Sequence, residues 1–164
     1  MKDKLTIIKV GGKIVEEPQS LNTLLNDFAA IDGFKLLVHG GGRSATAMAS
    51  QLGIETKMVD GRRITDAEML RVVTMVYGGL VNKTIVARLQ ALGVDALGMT
   101  GADMNIILSK RREVKTVDYG FVGDIEADKI NTALLATLLE SGITPVFCAI
   151  THDAKGSLLN SNAD

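Results

Sequence analysis

The chain has 164 residues, of which 46% are hydrophobic and 23% charged, proportions that suit one globular domain with a hydrophobic core. Its net charge of -1 argues against a nucleic-acid-binding or membrane-binding surface. The single cysteine, Cys148, excludes an internal disulfide framework and a cysteine-based zinc site, and its apolar surroundings predict a buried thiol. With no signal-peptide pattern and no apolar run of about 20 residues, a cytoplasmic location is expected.

The first part of the chain alternates between apolar runs and amphipathic runs, which predicts strand, helix, strand, helix. The predicted strands cover residues 5–10 and 36–38, and the predicted helices cover residues 21–30, capped by Ser20, and 45–52. This order predicts an α/β fold built on a parallel sheet.

Glycine turns follow both early strands, at Gly11-Gly12 and at Gly40-Gly41-Gly42. The first N–H groups of a helix have no partner within it and lie at the positive end of its dipole, so they favour anions. In open parallel sheets, ligands bind at the carboxyl ends of the strands, where both turns fall. The two turns therefore predict one phosphate-handling face.

Two short extended runs, residues 55–59 and 62–65, flank Asp60-Gly61, which is a strong hairpin signal. The hairpin would place Arg62 and Arg63 just after the turn, on opposite faces. Two interpretations stay open here: a lid that folds over a ligand, or an ordinary surface hairpin.

Residues 65–68 (Thr-Asp-Ala-Glu) have the form of a capping box and predict the start of a long helix. Its apolar stripe includes Met69, Val76 and Tyr77. Gly78-Gly79 is expected to break or bend this helix, and a second stretch continues to Leu92. Because apolar residues cover more than one face, the helix is either deeply buried or in contact with another subunit.

The remaining residues predict further strands and helices. They comprise a strand at 94–99, a hairpin of 106–109 with 114–117 around a basic turn at 110–112, an irregular stretch at 118–124, a helix at 130–139, a strand at 144–150 and a polar ending at 160–164. The basic turn is interpreted as a solvated surface turn.

Several catalytic motifs are absent from the sequence: the Walker loop, the dinucleotide-binding G-x-G-x-x-G and the G-x-S-x-G nucleophile elbow. His39 and His152 are predicted to be structural. There remain Lys9, unusual in an apolar strand, the two glycine turns, the arginine hairpin and the polar ending. Phosphoryl transfer mainly requires positioning and neutralisation of charge, which a lysine and backbone N–H groups can supply.

The motifs resemble those of the N-acetylglutamate kinases, which are members of the amino acid kinase superfamily. The resemblance rests on six segments in the same order: residues 8–12 (IKVGG), 38–42 (VHGGG), 60–65 (DGRRIT), 81–83 (VNK), 120–123 (GFVG) and 159–164 (LNSNAD). It covers the whole chain. It implies a three-layer α/β/α fold with a mainly parallel central sheet and inserted β-hairpins. It also implies transfer of the γ-phosphoryl group of ATP, used with Mg²⁺, to the side-chain carboxylate of an N-acylated glutamate in arginine biosynthesis.

The resemblance also implies roles for individual residues. Lys9 would stabilise the transferring phosphoryl group, and Asp164 would orient the catalytic lysines. Arg63 and Asn160 would bind the α-carboxylate of the acceptor, a role that suits the arginine fork. The two glycine turns would hold phosphoryl and acceptor oxygens: phosphate at Gly11, Gly12 and Gly40, and acceptor at Gly41 and Gly42. No metal ligand is expected from this chain.

The resemblance to the N-acetylglutamate kinases also implies that the full-length protein continues beyond the position of Asp164 into a nucleotide-binding half, which carries a second catalytic lysine. Residues 1–164 are therefore interpreted as the N-terminal half, which binds N-acyl-L-glutamate and forms a homodimer through the helical region 66–92. This half alone is expected to bind the acceptor without turnover. The alternatives are a superfamily kinase acting on aspartate, glutamate, carbamate or UMP, and a non-catalytic amino-acid or anion-binding module. The accepted acyl group stays open.

Overall fold

The computed structural model describes residues 4–164. These residues form six α-helices, whose bounds are α1 Gly12–Glu16, α2 Pro18–Ala29, α3 Gly42–Gln51, α4 Ala67–Val73, α5 Asn82–Ala91 and α6 Thr132–Glu140. They also form ten strands: β1 Leu5–Val10, β2 Phe34–His39, β3 Met58–Val59, β4 Arg62–Arg63, β5 Ala96–Met99, β6 Ile107–Arg111, β7 Gly123–Ile130, β8 Thr144–Cys148, β9 Ile150–His152 and β10 Leu158–Asn160.

A parallel sheet in the order β1-β2-β8-β5 forms the centre of the fold. Neighbouring residues of its inner strands face opposite sides, as expected in a pleated sheet. Leu37 and Val146 belong to the larger core, which the helices α2 to α5 cover. Leu36 and Phe147 belong to a smaller core on the other face, together with Leu138 of α6. Helices on both faces confirm the predicted three-layer α/β/α arrangement.

A second, mixed sheet has the order β10-β9-β6-β7. The prediction that residues 106–109 pair with 114–117 is wrong, because β6 pairs instead with β7, and Arg111 lies opposite Gly123. Part of the stretch predicted to be irregular thus starts a strand, β7, which was not predicted. The strand predicted at 144–150 is divided at Ala149, so that β8 lies in the central sheet and β9 in the second sheet.

The predicted hairpin around Asp60-Gly61 is confirmed: β3 and β4 pair antiparallel, and Met58 lies opposite Arg63. Asp60 and Gly61 have φ angles of 49° and 74°. Positive φ at both central residues is the type I′ geometry that matches the twist of a two-residue hairpin. This hairpin connects α3 to α4.

Helix α4 continues without a break into a π-helical segment, Thr74–Val81, and then into α5. Of the two predicted effects of Gly78-Gly79, a break or a bend, the break does not occur, since both glycines lie inside the π-helical segment. The side chain of Asp66, not that of Thr65, caps α4 by accepting a hydrogen bond from the Met69 N–H at 2.8 Å. The N-cap therefore lies one residue later than predicted, and because Met69 occupies the third helical position, the reciprocal bond of a capping box is not formed.

Several helix starts differ from the prediction; α3, for example, begins at Gly42 and not at Ala45. The short helix α1 directly follows Gly11 and was not predicted. Helix α2 begins at Pro18, whose fixed φ suits the first turn, so Ser20 lies inside the helix and is not its cap. Helix α6 begins at Thr132, and the side chain of Asn131 caps it. Among the helices of residues 4–164, none is both long enough and apolar enough to cross a membrane.

Candidate functional site

The two glycine turns lie side by side at the carboxyl edge of the central sheet. Strands β1 and β2 are parallel neighbours, and Val10 is paired with His39, so both strands end at the same level. A methyl group built on Gly12 would lie 3.9 Å from the backbone nitrogen of Gly42. The structure thus brings together the turns at Gly11-Gly12 and at residues 40–42.

Gly41 has no space for a side chain. A Cβ atom at this position would lie 2.8 Å from the Cδ1 atom of Tyr77, closer than carbon atoms approach in proteins. Tyr77 belongs to the π-helical segment and is 6% exposed. The ring therefore packs directly on the backbone of the turn, and the sequence pattern, which indicated only an apolar helix stripe, did not predict this contact.

Arg63 connects the hairpin to the second glycine turn. Its Nη2 atom donates hydrogen bonds to the Gly42 carbonyl at 2.7 Å and to the Thr46 hydroxyl at 2.9 Å. Arg62, on the opposite face of β4, is exposed. The structure therefore directs one of the two predicted arginines toward the glycine turn, and the hairpin lies over the carboxyl end of the sheet.

Lys9 and Asp164 form an ion pair, with 2.6 Å between Nζ and Oδ1. Lys9 lies on the edge strand β1, and 41% of its side-chain surface is exposed, compared with 64% for Asp164. An exposed pair of this kind contributes little to stability. The location of the pair is more relevant to function than its energy, because Lys9 lies near the end of β1, which leads into the turn at Gly11-Gly12.

Asn160, at the end of β10, is buried and donates a hydrogen bond from Nδ2 to the Thr65 hydroxyl at 3.0 Å. Thr65 is fully buried, and its backbone N–H and C=O groups bond to Tyr119 and Phe121. This cluster attaches the polar C-terminal residues to the segment between the hairpin and α4.

A cavity of about 420 Å³ joins these groups. It is lined by Gly42, Met58, Asp60, Gly61, Arg62, Arg63, Tyr77, Arg112, Val122, Asn160, Ser161, Asn162 and Asp164. Three arginines against two aspartates give the lining a positive balance, which favours an anionic ligand. Of the predicted site residues, Gly42, Arg63, Asn160 and Asp164 line this cavity, and the others adjoin it through the strand ends and glycine turns.

Arg112 was interpreted as part of a solvated turn, and this interpretation is wrong. Its side chain lines the cavity, donates hydrogen bonds to both carboxylate oxygens of Asp124, and lies over the ring of Tyr119 at 5.4 Å. The hydrogen bond from Arg112 lowers the pKa of Asp124. The ion pair joins residues twelve positions apart across the β6-β7 pair, so no local pattern indicated it.

A larger cavity of about 590 Å³ shares Arg62 and Arg112 with the first one. Its lining contains two ion pairs, Lys110 with Glu113 and Arg112 with Asp124. Neither glycine turn lines this larger cavity. We assign the functional site to the smaller cavity, because the second glycine turn and Arg63 meet there.

Cys148 is buried, as the sequence predicted, and His39, which was predicted to be structural, is fully buried as well. Burial lowers the pKa of His39 to about 4 and raises the pKa of the Cys148 thiol to about 11. The Cys148 thiol is therefore protonated at neutral pH and is a poor nucleophile. The His39 ring is a weak base and is buried away from solvent, so it does not suit a general base. Burial also raises the pKa of Tyr77, against the opposing effect of the Arg63 charge.

Residues 4–164 match the amino acid kinase family. The chain is 71% identical over 164 residues to a protein of Phocaeicola vulgatus named acetylglutamate kinase, of which it covers 63%. It is 69% identical to a protein of the same name from Bacteroides thetaiotaomicron, of which it also covers 63%. The chain therefore spans less than two thirds of these relatives.

A solved structure of N-acetylglutamate synthase from Neisseria gonorrhoeae, complexed with coenzyme A and N-acetyl-glutamate, matches 99% of this chain and 37% of its own. The TM-score is 0.82 and the sequence identity is 22%. At this identity the similarity shows the fold alone.

Proposed function

The chain belongs to the amino acid kinase family, and from this premise we propose that it forms the acceptor-binding part of an acylglutamate kinase. The reaction is the transfer of the γ-phosphoryl group of ATP to the side-chain carboxylate of N-acetyl-L-glutamate or of another N-acyl-glutamate, in arginine biosynthesis. The name shared by the two relatives described above supports this assignment.

One observation carries the proposal: the Arg63 side chain lines the 420 Å³ cavity and is hydrogen-bonded to the second glycine turn. A guanidinium offers five N–H donors, so it can retain the bond to Gly42 and still bind a carboxylate. Arg63 would bind the α-carboxylate of the acceptor together with Asn160, which lines the same cavity. The N–H groups of Gly41 and Gly42, at the start of α3, would face the reacting carboxylate.

The proposed transfer needs no general base, because a carboxylate acceptor is already ionised near neutral pH. This agrees with a site whose nearest histidine is buried and neutral. Lys9, with Gly11, Gly12 and Gly40 around it, would neutralise charge on the moving phosphoryl group, and Asp164 would hold the Lys9 side chain. A lysine in this position supplies a mobile positive charge at the end of β1.

The curated relatives are longer than this chain, and we propose that their remaining length supplies the nucleotide-binding half with a second lysine. ATP would enter with Mg²⁺ bound to its phosphates, which is usual for this ion. Among residues 4–164, no group of three or more His, Cys, Asp or Glu side chains could hold a metal ion, so we assign no residue to Mg²⁺.

The homodimer and the cytoplasmic location stay predictions. For the dimer, we propose the helical region 66–92 as the contact, because Met75 and Leu80 are 54% and 59% exposed there. Exposed apolar side chains on one helical region make that region a candidate for a protein contact. Replacement of Leu80 by lysine should shift the sedimentation of the chain toward the monomer, and an unchanged sedimentation coefficient would exclude this face.

Calorimetric titration of the 164-residue chain with N-acetyl-L-glutamate, with longer N-acyl-glutamates and with free glutamate tests the proposal. We expect saturable binding of at least one N-acyl form and none of free glutamate. Arg63→Gln should weaken this binding by about ten- to a hundredfold, because a hydrogen bond to a charged group is lost. Arg62→Gln is the matched control, since Arg62 lines the same cavity and carries the same charge, whereas Arg63 is the one of the two that is bonded to the Gly42 carbonyl.

Two results would contradict the proposal. If no N-acyl-glutamate binds, the acceptor assignment is wrong. If Arg62→Gln and Arg63→Gln weaken binding equally, a general positive potential explains binding better than the directed contact of Arg63. Binding that is accompanied by no turnover in a full-length form would favour the alternative of a non-catalytic binding module.

A further inference from the structure

His39 is the last residue of β2 and directly precedes the glycine turn. Its side chain is fully buried. The Nδ1 atom lies 2.7 Å from the Gly40 carbonyl oxygen, and the Nε2 atom lies 3.0 Å from the Nδ2 atom of Asn82. A carbonyl only accepts hydrogen bonds, so Nδ1 must carry the proton, and Nε2 then accepts from the Asn82 amide.

Asn82 is itself held in place by other groups. Its Nδ2 atom also donates to the Val146 carbonyl at 2.9 Å, and its Oδ1 atom accepts from the Lys83 ammonium group at 3.0 Å. A rotation of the His39 ring would leave buried donors and acceptors without partners, which is costly. The ring is therefore fixed from the helix side, through Asn82, and from the sheet side, through β8.

The bond to Gly40 determines the direction of the next N–H group. In a planar trans peptide, the C=O and the following N–H point in opposite directions. The Gly40 carbonyl points toward the buried ring, so the Gly41 N–H points away from it, at the start of α3. Tyr77 packs against Gly41, and Arg63 binds the Gly42 carbonyl, so the turn is held at three successive residues.

We propose that His39 is a positioning residue whose Nδ1–H group holds the Gly40 carbonyl and thereby directs the Gly41 N–H toward the acceptor carboxylate. This inference rests on the proposed function. His39 does not touch the acceptor and transfers no proton. The low pKa of its ring keeps Nε2 unprotonated at neutral pH, so that the Asn82 bond and the Nδ1–H donor persist together.

Two substitutions separate this role from simple packing. In His39→Asn, the side-chain nitrogen occupies the position of Nδ1 and can still donate to Gly40. In His39→Gln, the terminal amide reaches the position of Nε2, so the contact with Asn82 is kept and the donor to Gly40 is lost. Both variants replace the ring by a neutral amide.

The readouts are the affinity for N-acetyl-L-glutamate by calorimetry, the amide resonance of Gly41 in ¹⁵N spectra, and the melting temperature as a control for folding. His39→Asn should keep the affinity within about threefold. His39→Gln should lose about tenfold or more, as for a hydrogen bond to a charged group, and should shift the Gly41 resonance. Equal affinities in the two variants, or a loss that follows only the melting temperature, would overturn the inference.

Imidazole ¹⁵N shifts of the unchanged chain give a test that needs no variant. They should report the tautomer protonated at Nδ1 at neutral pH, and the tautomer protonated at Nε2 would overturn the inference even if both variants fail to fold. If the unchanged chain binds no N-acyl-glutamate, the proposed function fails and this inference fails with it. If the unchanged chain binds and the two variants do not differ, only this inference fails.

Discussion

Acidification is expected to destabilise the chain through one group, His39. Its pKa is about 4 in the folded chain, compared with the ordinary value of 6.5, because burial disfavours the charged ring. The neighbouring Lys83 charge acts in the same direction, and the bond to Gly40 opposes both. Between these two pKa values the unfolded chain binds a proton that the folded chain does not bind.

The difference between the folded and the unfolded pKa of His39 determines the sign and the size of the change in unfolding free energy with pH. The stabilisation from a neutral His39 is fully present above about pH 6.5 and is lost as the pH falls toward 4. A difference of this size is equivalent to about 3 kcal/mol in the free energy of unfolding. Carboxylates whose pKa is lowered in the fold, such as Asp124 and Asp153, lose their contribution at still lower pH. The range between pH 4.5 and 6.5 therefore reports mainly on His39.

Urea unfolding at several pH values from about 7 down to about 4.5, for the unchanged chain and for His39→Asn, measures this contribution. The difference in unfolding free energy between the two proteins should shrink by about 2–3 kcal/mol over this range, because the variant has no ring to protonate. A direct titration of the His39 ring by NMR gives the folded pKa independently. Parallel pH dependences of the two proteins, or a His39 pKa near 6.5, would refute the reasoning.

Three further predictions concern groups with little free space. Gly98→Ala would place a Cβ atom 2.0 Å from the Oδ1 atom of Asn82. We therefore expect urea unfolding to show a loss of at least about 1–3 kcal/mol in the free energy of unfolding. Gly79→Ala is the control and should cost much less, because a Cβ atom there would have no neighbour within 4 Å. Gly41→Ala should reduce acceptor affinity by about tenfold or more, since the new methyl group collides with the Tyr77 ring, and unchanged affinity in calorimetry would contradict this. Cys148 should react with a thiol reagent slowly in the native chain and rapidly in urea, because burial raises its pKa to about 11; rapid native labelling would contradict the structure.

The elements that the sequence predicted well have strong local signals. Asp60-Gly61 identifies its hairpin because a type I′ turn needs positive φ at two adjacent positions. The apolar runs of β1 and β2 and the glycine turns after them were equally recognisable. By contrast, most residues of β7 are exposed, so its sequence lacks the apolar alternation that marks a half-buried strand.

Local pattern and family resemblance point to the same residues in the case of Lys9 and Arg63, and the structure places Lys9 near the end of β1 and Arg63 in the lining of the cavity. Their roles in the site stay predictions. Contacts between distant parts of the chain could not be predicted, because no spacing rule connects them. Asn160 and Thr65 are ninety-five positions apart, and their hydrogen bond depends on how β10 meets the start of α4. The contact between the Tyr77 ring and the backbone of Gly41 could not be predicted for the same reason. The apolar residues around Tyr77 in the sequence predict that it is buried but do not indicate which residue it packs against.

The π-helical segment has a consequence for the tolerance of this chain to insertions and deletions. A π-turn accommodates more residues than an α-turn, so the segment Thr74–Val81 holds surplus length between Met69 and Asn82. A deletion of one residue inside it can be absorbed by a return to α-helical winding. The same deletion at the start of α5, beyond Asn82, would turn the remainder of that helix by about 100° and remove Ile85 from the core. Over time, changes in length are expected to accumulate within the segment and to be eliminated on either side of it.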